Sequence, residues 1–336
     1  MLDYQVIKIV YYFYSQQPPK KYKKELLIND LNNKSMIINN GELAIHNSNI
    51  TNNTSNAIGT IVHIANREKN VLIRNSIFNH NTSSTSGGTI HSRTNTTLEV
   101  IDSEFIKNSS ELFGGAISNY GKTKLLGCRF IGNISQSGGA MYVNPYSFLN
   151  IADCEFKENI SLREAGAINS HGEINISNCE FNENTAQTDS GAINNWGKLN
   201  ITDAKFIKNA AKENNGGAIN NQGTGELNII NCEFHENATY KSGGAIFNFA
   251  KLNIRNTNFS KNTSNYGGAI SNESEFANIE KCGFDENTSE NYGGAIYNDG
   301  KLNTETSIFA RNASRQGGAV NNQENSEINF QNCNFE

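Results

Sequence analysis

A phrase of about 25 residues returns through most of this chain and constrains its fold more than any single residue does. Its fullest form is Gly-Gly-Ala-Ile, an Asn two residues later, an alternating apolar pair, a small residue, Phe and Asn. Eleven copies carry the phenylalanine: Phe78, Phe105, Phe130, Phe156, Phe181, Phe206, Phe234, Phe259, Phe284, Phe309 and Phe335. Ile50 marks a weaker first copy. Such a period predicts a single elongated solenoid, in which each copy is one rung that packs only on its neighbours.

Within a copy, the apolar residues are spaced as in short strands. Counting from each phenylalanine as position 0, apolar residues stand at −7, −5 and 0 and a small residue at −2, as in Leu199, Ile201, Ala204 and Phe206. Two short strands separated by a bend fit this spacing better than a helix does. Copy length varies only between the Asn at +3 and the Gly pair, and after the following Ile. Constant strands joined by variable corners predict an all-β coiled sheet of about twelve rungs.

Charged residues at two positions alternate in sign from rung to rung. Position −8 reads Glu173, Lys198, Glu226, Lys251, Phe276, Lys301 and Glu327, and position +2 reads Glu183, Lys208, Glu236, Lys261, Glu286 and Arg311. In parallel strands stacked in register, like charges repel, whereas opposite charges gain roughly 0.2 to 1 kcal/mol per pair. The alternation therefore predicts that equivalent residues of successive rungs lie directly above one another.

Cysteine and asparagine follow the same period. All six cysteines occupy position −2: Cys128, Cys154, Cys179, Cys232, Cys282 and Cys333. Since the last three are two rungs apart, about 10 Å, they cannot form disulfides with one another, and reduced core packing is the favoured interpretation. Cys128, Cys154 and Cys179 lie on consecutive rungs, which leaves one disulfide open there.

Two rows of asparagine predict stacked amide ladders that satisfy the corners. The first row, at position +3, is Asn81, Asn108, Asn133, Asn159, Asn184, Asn209, Asn237, Asn262, Asn287 and Asn312. The second, two residues after the repeated Ile, is Asn119, Asn195, Asn221, Asn248, Asn272, Asn298 and Asn322. Many belong to Asn-x-Ser/Thr sequons, which an Asn- and Thr-rich chain produces by chance, so glycosylation is not predicted.

Composition excludes several classes of partner. The net charge of −5 is scattered, without the basic stripe that follows a phosphate backbone, so nucleic acid is an unexpected partner. No apolar stretch reaches the length of a membrane span, and Val6 to Tyr14 lacks the charged start and cleavage site of a signal peptide. His46, His63, His80, His91, His171 and His235 show no metal-ligand spacing and are expected at exposed positions. No metal or cofactor is predicted.

The repeats resemble those of chlamydial-type polymorphic outer-membrane proteins and related adhesin-like proteins. The resemblance covers about residues 34 to 336 and rests on Gly-Gly-Ala-Ile at 114 to 117, 216 to 219, 243 to 246, 267 to 270 and 293 to 296, paired with Phe-x-x-Asn at 206 to 209 and 284 to 287. It implies a right-handed parallel β-helix that forms the surface-displayed passenger of a secreted or autotransported adhesin. Departures at Ala165-Gly166, at Ser190-Gly191 and at Ile58-Gly59-Thr60-Ile61 are expected to leave the register unchanged.

The two ends of the chain differ from that family, whose members carry an export signal and a membrane β-barrel. Residues 1–33 are expected to be an N-terminal leader or cap, and residues 34–336 the repeat domain. The last residues, Cys333 to Glu336, fall in mid-rung, which predicts an open sheet edge and a truncated domain.

Parallel β-helices also serve polysaccharide lyases and hydrolases, so an enzyme is the main alternative. Such sites need carboxylates that converge on one face or gather around Ca²⁺. The aspartates Asp102, Asp153, Asp203, Asp285 and Asp299 show no paired motif, and the glutamates mostly belong to the alternating rows. Catalytic residues are therefore not predicted.

One edge of the rod carries a candidate contact site. Three residues after the repeated Ile stand Tyr120, His171, Trp196 and Phe249. Aromatic rings can bind sugars or a protein partner, although rings that only shield a corner are the simpler interpretation. The sequence thus favours a non-catalytic, surface-exposed or secreted adhesin-like rod that binds a host or neighbouring-cell protein or glycan. A carbohydrate-active enzyme and a purely structural spacer remain the alternatives.

Overall fold

The chain winds into a parallel β-helix with four strands per rung, which a computed structural model describes for residues 24–25, 35–65 and 69–336. Every strand pairs in parallel with the equivalent strands of the rungs before and after it. Four parallel sheets, here called sheets I to IV in the order in which each rung visits them, therefore run along the rod. The two strands predicted per rung form sheets II and III, and the structure adds sheets I and IV.

Sheet I contains the three-residue Ile-x-Asn strands that follow the Gly pair. Because the Ile and the Asn of each strand point into the coil, the middle residue points outward. Its strands are Ile37–Asn39, Val62–Ile64, Ile90–Ser92, Ile117–Asn119, Met141–Val143, Ile168–Ser170, Ile193–Asn195, Ile219–Asn221, Ile246–Asn248, Ile270–Asn272, Ile296–Asn298 and Val320–Asn322.

Sheet II contains the strands with the alternating apolar pair, whose residues at −7 and −5 are buried. Its strands are Leu43–His46, Asn70–Arg74, Thr97–Ile101, Lys122–Leu126, Phe148–Ala152, Glu173–Ser177, Lys198–Thr202, Glu226–Ile230, Lys251–Arg255, Ala277–Glu280, Lys301–Glu305 and Glu327–Gln331.

Sheet III contains the phenylalanine strands. They are Lys24–Glu25, Ser48–Thr51, Ile77–Asn79, Glu104–Ile106, Arg129–Ile131, Glu155–Lys157, Glu180–Asn182, Lys205–Ile207, Glu233–His235, Asn258–Ser260, Gly283–Asp285, Ile308–Ala310 and Asn334–Phe335. The first of these strands pairs with Ser48 and Asn49. The remainder of residues 1–33, expected to be a leader or cap, lies outside the described residues, so that expectation stays a prediction.

Sheet IV contains short strands between the Asn at +3 and the Gly pair, where copy length varies. Its strands are Thr54–Ser55, Thr82–Ser83, Ser109–Ser110, Ile134–Ser137, Ile160–Glu164, Thr185–Ala186, Ala210–Ala211, Ala238–Thr239, Thr263–Tyr266 and Thr288–Tyr292. No helix of the described residues is long and apolar enough to cross a membrane.

A column of phenylalanine rings runs through the core, as the in-register prediction requires. From Phe78 to Phe309, successive rings lie 4.7 to 5.0 Å apart between centroids and within 10° of parallel. The sequence prediction of stacked equivalent side chains is confirmed. Each ring from Phe105 to Phe309 is packed between two identical rings, so no rung buries its core face alone.

Beside this column, the asparagines at +3 form a fully buried amide ladder. Asn209 is typical: its Nδ2 donates to Asn237 Oδ1 at 2.9 Å and to the carbonyl oxygen of Phe181 at 2.9 Å. Its Oδ1 accepts from the backbone N and from Nδ2 of Asn184 at 3.1 and 2.9 Å. Every amide atom is thereby satisfied inside the rod, and the predicted ladder is confirmed. The sequon asparagines of this row up to Asn287 are inaccessible in the folded chain, whereas Asn312, at the end of the row, is half-buried.

The Gly pair closes the corner before sheet I, and its two glycines are needed for different reasons. The first adopts a positive φ, as at Gly216 (φ 69°), and Ala165 and Ser190 adopt the same conformation in its place. In the rungs that keep it, the second glycine has no room for a side chain, because a Cβ on Gly217 would lie 1.9 Å from the next rung's carbonyl oxygen. This explains why the departures at 165 and 190 spare the second glycine.

One predicted register is wrong. In the second rung, Gly59 has the positive φ of a first glycine, and Val62, not Ile61, pairs with Ile90. The motif at 58–61 is therefore displaced by one residue relative to the other copies. The apolar pair Ile61 and Val62 made both alignments equally consistent with the sequence.

The predicted charge rows form ion pairs on the surface. At −8, Nζ of Lys198 lies 3.6 Å from Glu173 and Nζ of Lys251 lies 3.0 Å from Glu226. Glu226 is in register between Lys198 and Lys251. At +2, Lys208 pairs with Glu236 at 3.7 Å. All six cysteines are free thiols, and five of them are buried.

Candidate functional site

The outward face of sheet I, here called the sheet I face, brings together the side chains with the most binding potential. Its floor is the row of middle residues of the Ile-x-Asn strands. One wall is the corner after each strand, which holds the predicted Tyr120, His171, Trp196 and Phe249. The opposite wall is the loop before each Gly pair, since Ser137 Oγ accepts a hydrogen bond from floor residue Asn169 at 2.5 Å.

Six rings form a continuous aromatic strip across the sheet I face. The strip contains His63, His91, Tyr120, Tyr142, His171 and Trp196. Adjacent rings lie 5.0 to 6.1 Å apart between centroids, with His63 and His91 stacked at 5.3 Å. The floor contributes His63, His91 and Tyr142 and the wall contributes Tyr120, His171 and Trp196, so rings from two rows of the coil meet.

The structure joins three of the four predicted aromatic residues and leaves the fourth apart. His171 and Trp196 stack within 9° of parallel, at 5.9 Å between centroids. The other side of the indole covers the backbone of Gly223, where a Cβ would lie 2.9 Å from Trp196 Cε3. Trp196 is therefore held between two rungs and presents its edge, 38 % exposed, to solvent. Among the described residues no ring contact links Phe249, 55 % exposed, to the strip.

The expectation that the histidines are exposed is wrong for His91. His91 is 8 % exposed, between His63 and Tyr120. Burial, with the nearby charges of His63 and Arg93, lowers the pKa of His91 to about 3. His91 is neutral at physiological pH. In the described part of the chain, no group of three His, Cys, Asp or Glu side chains could hold a metal ion.

Beyond the strip, the floor carries buried polar atoms that have no partner within the described chain. Asn194 uses its Nδ2 toward Glu164 Oε2 at 3.1 Å and Asn169 Oδ1 at 3.3 Å, but its Oδ1 has no donor. Both amide atoms of Asn220, the next floor residue, are unpaired although the side chain is fully buried. Buried amides nearly always have partners, so these atoms mark a place where water or a ligand group completes the structure.

Carboxylates stand on the loop wall beside these amides. Burial raises the pKa of the Glu164 carboxyl; the charge of Arg163 partly offsets this, and Asp189, at the equivalent place in the next rung, raises the pKa. A cluster of tyrosine rings lies toward the C-terminus. The ring centroids of Tyr266, Tyr292 and Tyr297 are 5.5 to 6.4 Å apart. Burial, followed by the charges of Asp299 and Glu273, raises the pKa of Tyr297 to about 12.

Sequence reasoning missed the floor row, including Tyr142, Asn194 and Asn220. These residues occupy the middle of a three-residue strand, which is too short to show an alternating pattern. The position is nevertheless recognisable, because it always follows the repeated Ile directly. Glu164 was missed because glutamates were assigned to the charge rows, to which it does not belong.

Comparison with known proteins agrees with the repeat and the fold. A family model, the Chlamydia polymorphic membrane protein (Chlamydia_PMP) repeat, matches residues 256–273 and 284–299. The sequence resemblance is thereby confirmed, and the chain is a parallel β-helix protein with polymorphic membrane protein-like repeats. No curated protein matches the sequence.

Among solved structures, the complex of alginate lyase AlyF-OU02 with G6 aligns with 92 % of this chain and 80 % of that chain, at 10 % identity and a TM-score of 0.37. A similarity this low carries no information about function.

Proposed function

We propose that this chain is a non-catalytic, surface-displayed or secreted rod that binds cells, proteins or glycans through the sheet I face. The similarity of its repeats to those of Chlamydia polymorphic membrane proteins supports an adhesin-like, outer-membrane passenger role. The ladders that stabilise the rod use the core and the charge rows. The aromatic strip and the unpaired amides of the floor are not needed for those ladders.

The observation that carries this proposal is the aromatic strip, in which Trp196 leaves an edge 38 % exposed on the sheet I face. Aromatic rings with a polar surrounding are well suited to contact sugars and protein side chains. The carboxylate of Glu164 stands on the loop wall of the same face, where it accepts a hydrogen bond from Asn194 of the floor.

Binding of the purified chain to cells and to arrayed proteins and glycans tests the proposal. We expect Trp196→Ala and Tyr142→Ala each to weaken binding, because each removes a ring of the strip. Phe276→Ala is the matched control, since Phe276 is an exposed ring directly before the sheet II strand Ala277–Glu280 and outside the strip. If no ligand loses binding through either change, the sheet I face is ruled out, and a chain that binds nothing would be a spacer.

A carbohydrate-active enzyme is the second candidate, and Glu164 is the observation that favours it. A carboxyl with a raised pKa beside a second carboxylate is the pairing that glycoside hydrolysis uses. Incubation with a panel of plant, algal and bacterial polysaccharides distinguishes the two functions. Turnover that Glu164→Gln abolishes would establish the enzyme, whereas binding without turnover supports the rod.

A further inference from the structure

A second concave surface lies on a different side of the rod, along the bend between sheets II and III. Two open cavities of about 490 and 380 Å³ lie side by side there and extend over the same four rungs, between Lys124 and Lys205. We call this surface the bend groove. The bend is made at position −3, where residues such as Asp153 (φ 55°) and Asn178 (φ 50°) adopt the left-handed conformation.

Position −4, on the outward face of sheet II, is small in three of the four groove rungs. Ala152, Ser177 and Thr202 occupy this position there and line the smaller cavity, and Leu126 occupies it in the first rung. The following rungs have Ile230 and Arg255 at the same position. Small side chains at −4 therefore deepen the surface over three successive rungs.

One side of the groove is an exposed amide ladder that the sequence analysis did not identify. Asn175 Nδ2 donates to Asn150 Oδ1 at 3.1 Å, and Asn200 Nδ2 donates to Asn175 Oδ1 at 2.8 Å. Each amide has two N–H donors and two acceptor lone pairs. Each internal member of the ladder therefore keeps one donor and one acceptor free at every rung.

The other side is charged but almost balanced. Arg129 Nε donates to Glu155 at 2.8 Å, and Asn178 Nδ2 donates to Asp153 at 2.6 Å. Against the prediction of dispersed aspartates, this bend gathers acids from adjacent rungs. The lining has four acidic residues (Asp153, Glu155, Glu180 and Asp203) and three basic residues (Lys124, Arg129 and Lys205), so its net charge is 3 − 4 = −1.

These features select a class of ligand. A groove with a net charge of −1 does not attract a polyanion. An extended peptide presents like-facing residues about every 6.8 Å, whereas rungs recur every 4.7 to 5.0 Å, so a peptide would lose register within a few rungs. A β-1,4-linked pyranose chain advances by nearly one rung per sugar, and each hydroxyl both donates and accepts.

We propose that the bend groove binds a linear, uncharged glycan that runs parallel to the rod, with about one sugar per rung. The free donor and acceptor of each ladder amide contact successive hydroxyls, and the small residues at −4 leave room for the rings. This site is separate from the sheet I face, so the proposal does not depend on the proposed function and is tested separately from it.

Calorimetric titration of the full chain with cellohexaose and with chitohexaose tests the proposal, with hexaguluronate as the polyanionic comparison. We expect at least one neutral hexamer to bind and the polyanion to bind at least about tenfold more weakly. Ser177→Arg fills the groove with the residue that stands at the same position as Arg255, so the fold tolerates it. We expect this change to weaken binding about tenfold or more.

Three further variants give the test its controls. Glu305→Arg changes the same position outside the groove and should leave affinity unchanged, as should Trp196→Ala on the sheet I face. Ile230→Ser lengthens the groove by one rung and should strengthen binding of the neutral hexamer relative to the corresponding neutral trimer, cellotriose or chitotriose. The proposal is overturned if neither neutral hexamer binds, if Ser177→Arg binds as tightly as the unmodified chain, or if Trp196→Ala is the change that abolishes binding.

Discussion

The rungs from residue 122 to 205 and those from 226 to 305 share one interior and differ outside. In both, the residues at −7, −5 and 0 are buried and the amide ladder at +3 continues without a break from Asn81 to Asn312. Outside, the first group has the bend groove and the end of the aromatic strip. The second has Ile230 and Arg255 over the bend, and its tyrosine cluster lies further along sheet I.

This difference shows that the side chains that point inward determine the fold, whereas the side chains that point outward are available for binding. Residues that point inward are constrained by identical neighbours above and below, and a change there affects two interfaces. Residues that point outward are constrained only by solvent and by their exposed stacking partners. Grooves, strips and patches can therefore be placed on any rung without a change in the backbone.

The largest effect is expected from breaking the shared interior. Asn209→Ala should destabilise the chain by at least about 3 kcal/mol, because it removes four buried hydrogen bonds. The backbone N–H of Asn184 loses its acceptor, Asn184 Nδ2 loses one of its two acceptors, and Asn237 Oδ1 and the Phe181 carbonyl each lose a donor. Asn262→Ala, in the second group of rungs, should cost the same. Urea unfolding measures both. Asn200→Ala, in the exposed ladder, is the control and should cost less than about 0.5 kcal/mol; a loss below about 1 kcal/mol for Asn209→Ala would contradict a common buried ladder.

The aromatic strip should make the N-terminal rungs sensitive to acid. The folded pKa of His91, about 3, lies below the unfolded value of about 6.5, so the unfolded chain binds the proton first. The contribution of His91 to stability is fully present above pH 6.5 and is lost as the pH falls toward 3. At pH 4.5 the free energy of unfolding should be lower by roughly 2 to 3 kcal/mol. Hydrogen exchange resolved by rung measures the loss.

His91→Ser, which copies the adjacent floor residue Ser118, should remove most of this pH dependence. Rungs whose floor residue is Asn220 or Ser271 should show no such loss between pH 6.5 and 4.5. A uniform loss along the rod would contradict the assignment to His91.

A smaller effect is expected at the charge rows. A hydrogen bond from Lys251 lowers the pKa of Glu226. The ion pair therefore contributes above the unfolded pKa, and its contribution disappears as the pH falls through the lower folded value. Glu226→Gln should cost about 0.2 to 1 kcal/mol at pH 7, and the cost should shrink as acid protonates the carboxyl. Half-molar salt should reduce the cost; an effect independent of both salt and pH would show that the pair is not electrostatic in origin.

The smallest effect on stability is expected when outward-facing residues are exchanged between the two groups of rungs. Ala152→Ile and Arg255→Ser swap residue types between the two groups of rungs at position −4. Since both residue types already occur at this position, each change should alter the free energy of unfolding by less than about 0.5 kcal/mol. Thermal unfolding measures the change. A large loss of stability in either variant would mean that the outward-facing residues also affect the packing of the interior.

The sequence predicted the interior almost completely and the exterior poorly. The phenylalanine column, the ladder at +3 and the ion pair of Glu226 with Lys251 are predictable because the same residue types recur at a fixed spacing. Sheet I was missed as a strand, although the row of its asparagines was found, because three residues carry no pattern of their own. Tyr142 joins Tyr120 to His171 only across two different rows of the coil, and such contacts depend on how the corners turn. Asn150 and Ser177 can be recognised as lining a groove only when the curvature of the bend is known.

Distances along the rod test the central claim, that equivalent residues of successive rungs are stacked about one axis. Nitroxide labels at Lys107 and, in turn, at Lys208, Lys261 and Arg311 span four, six and eight rungs at the exposed +2 position. Pulsed electron paramagnetic resonance should give separations near 19, 29 and 38 Å, which rise by about 4.8 Å per rung. Separations that do not increase linearly with rung number would contradict the stack and, with it, both proposed binding surfaces.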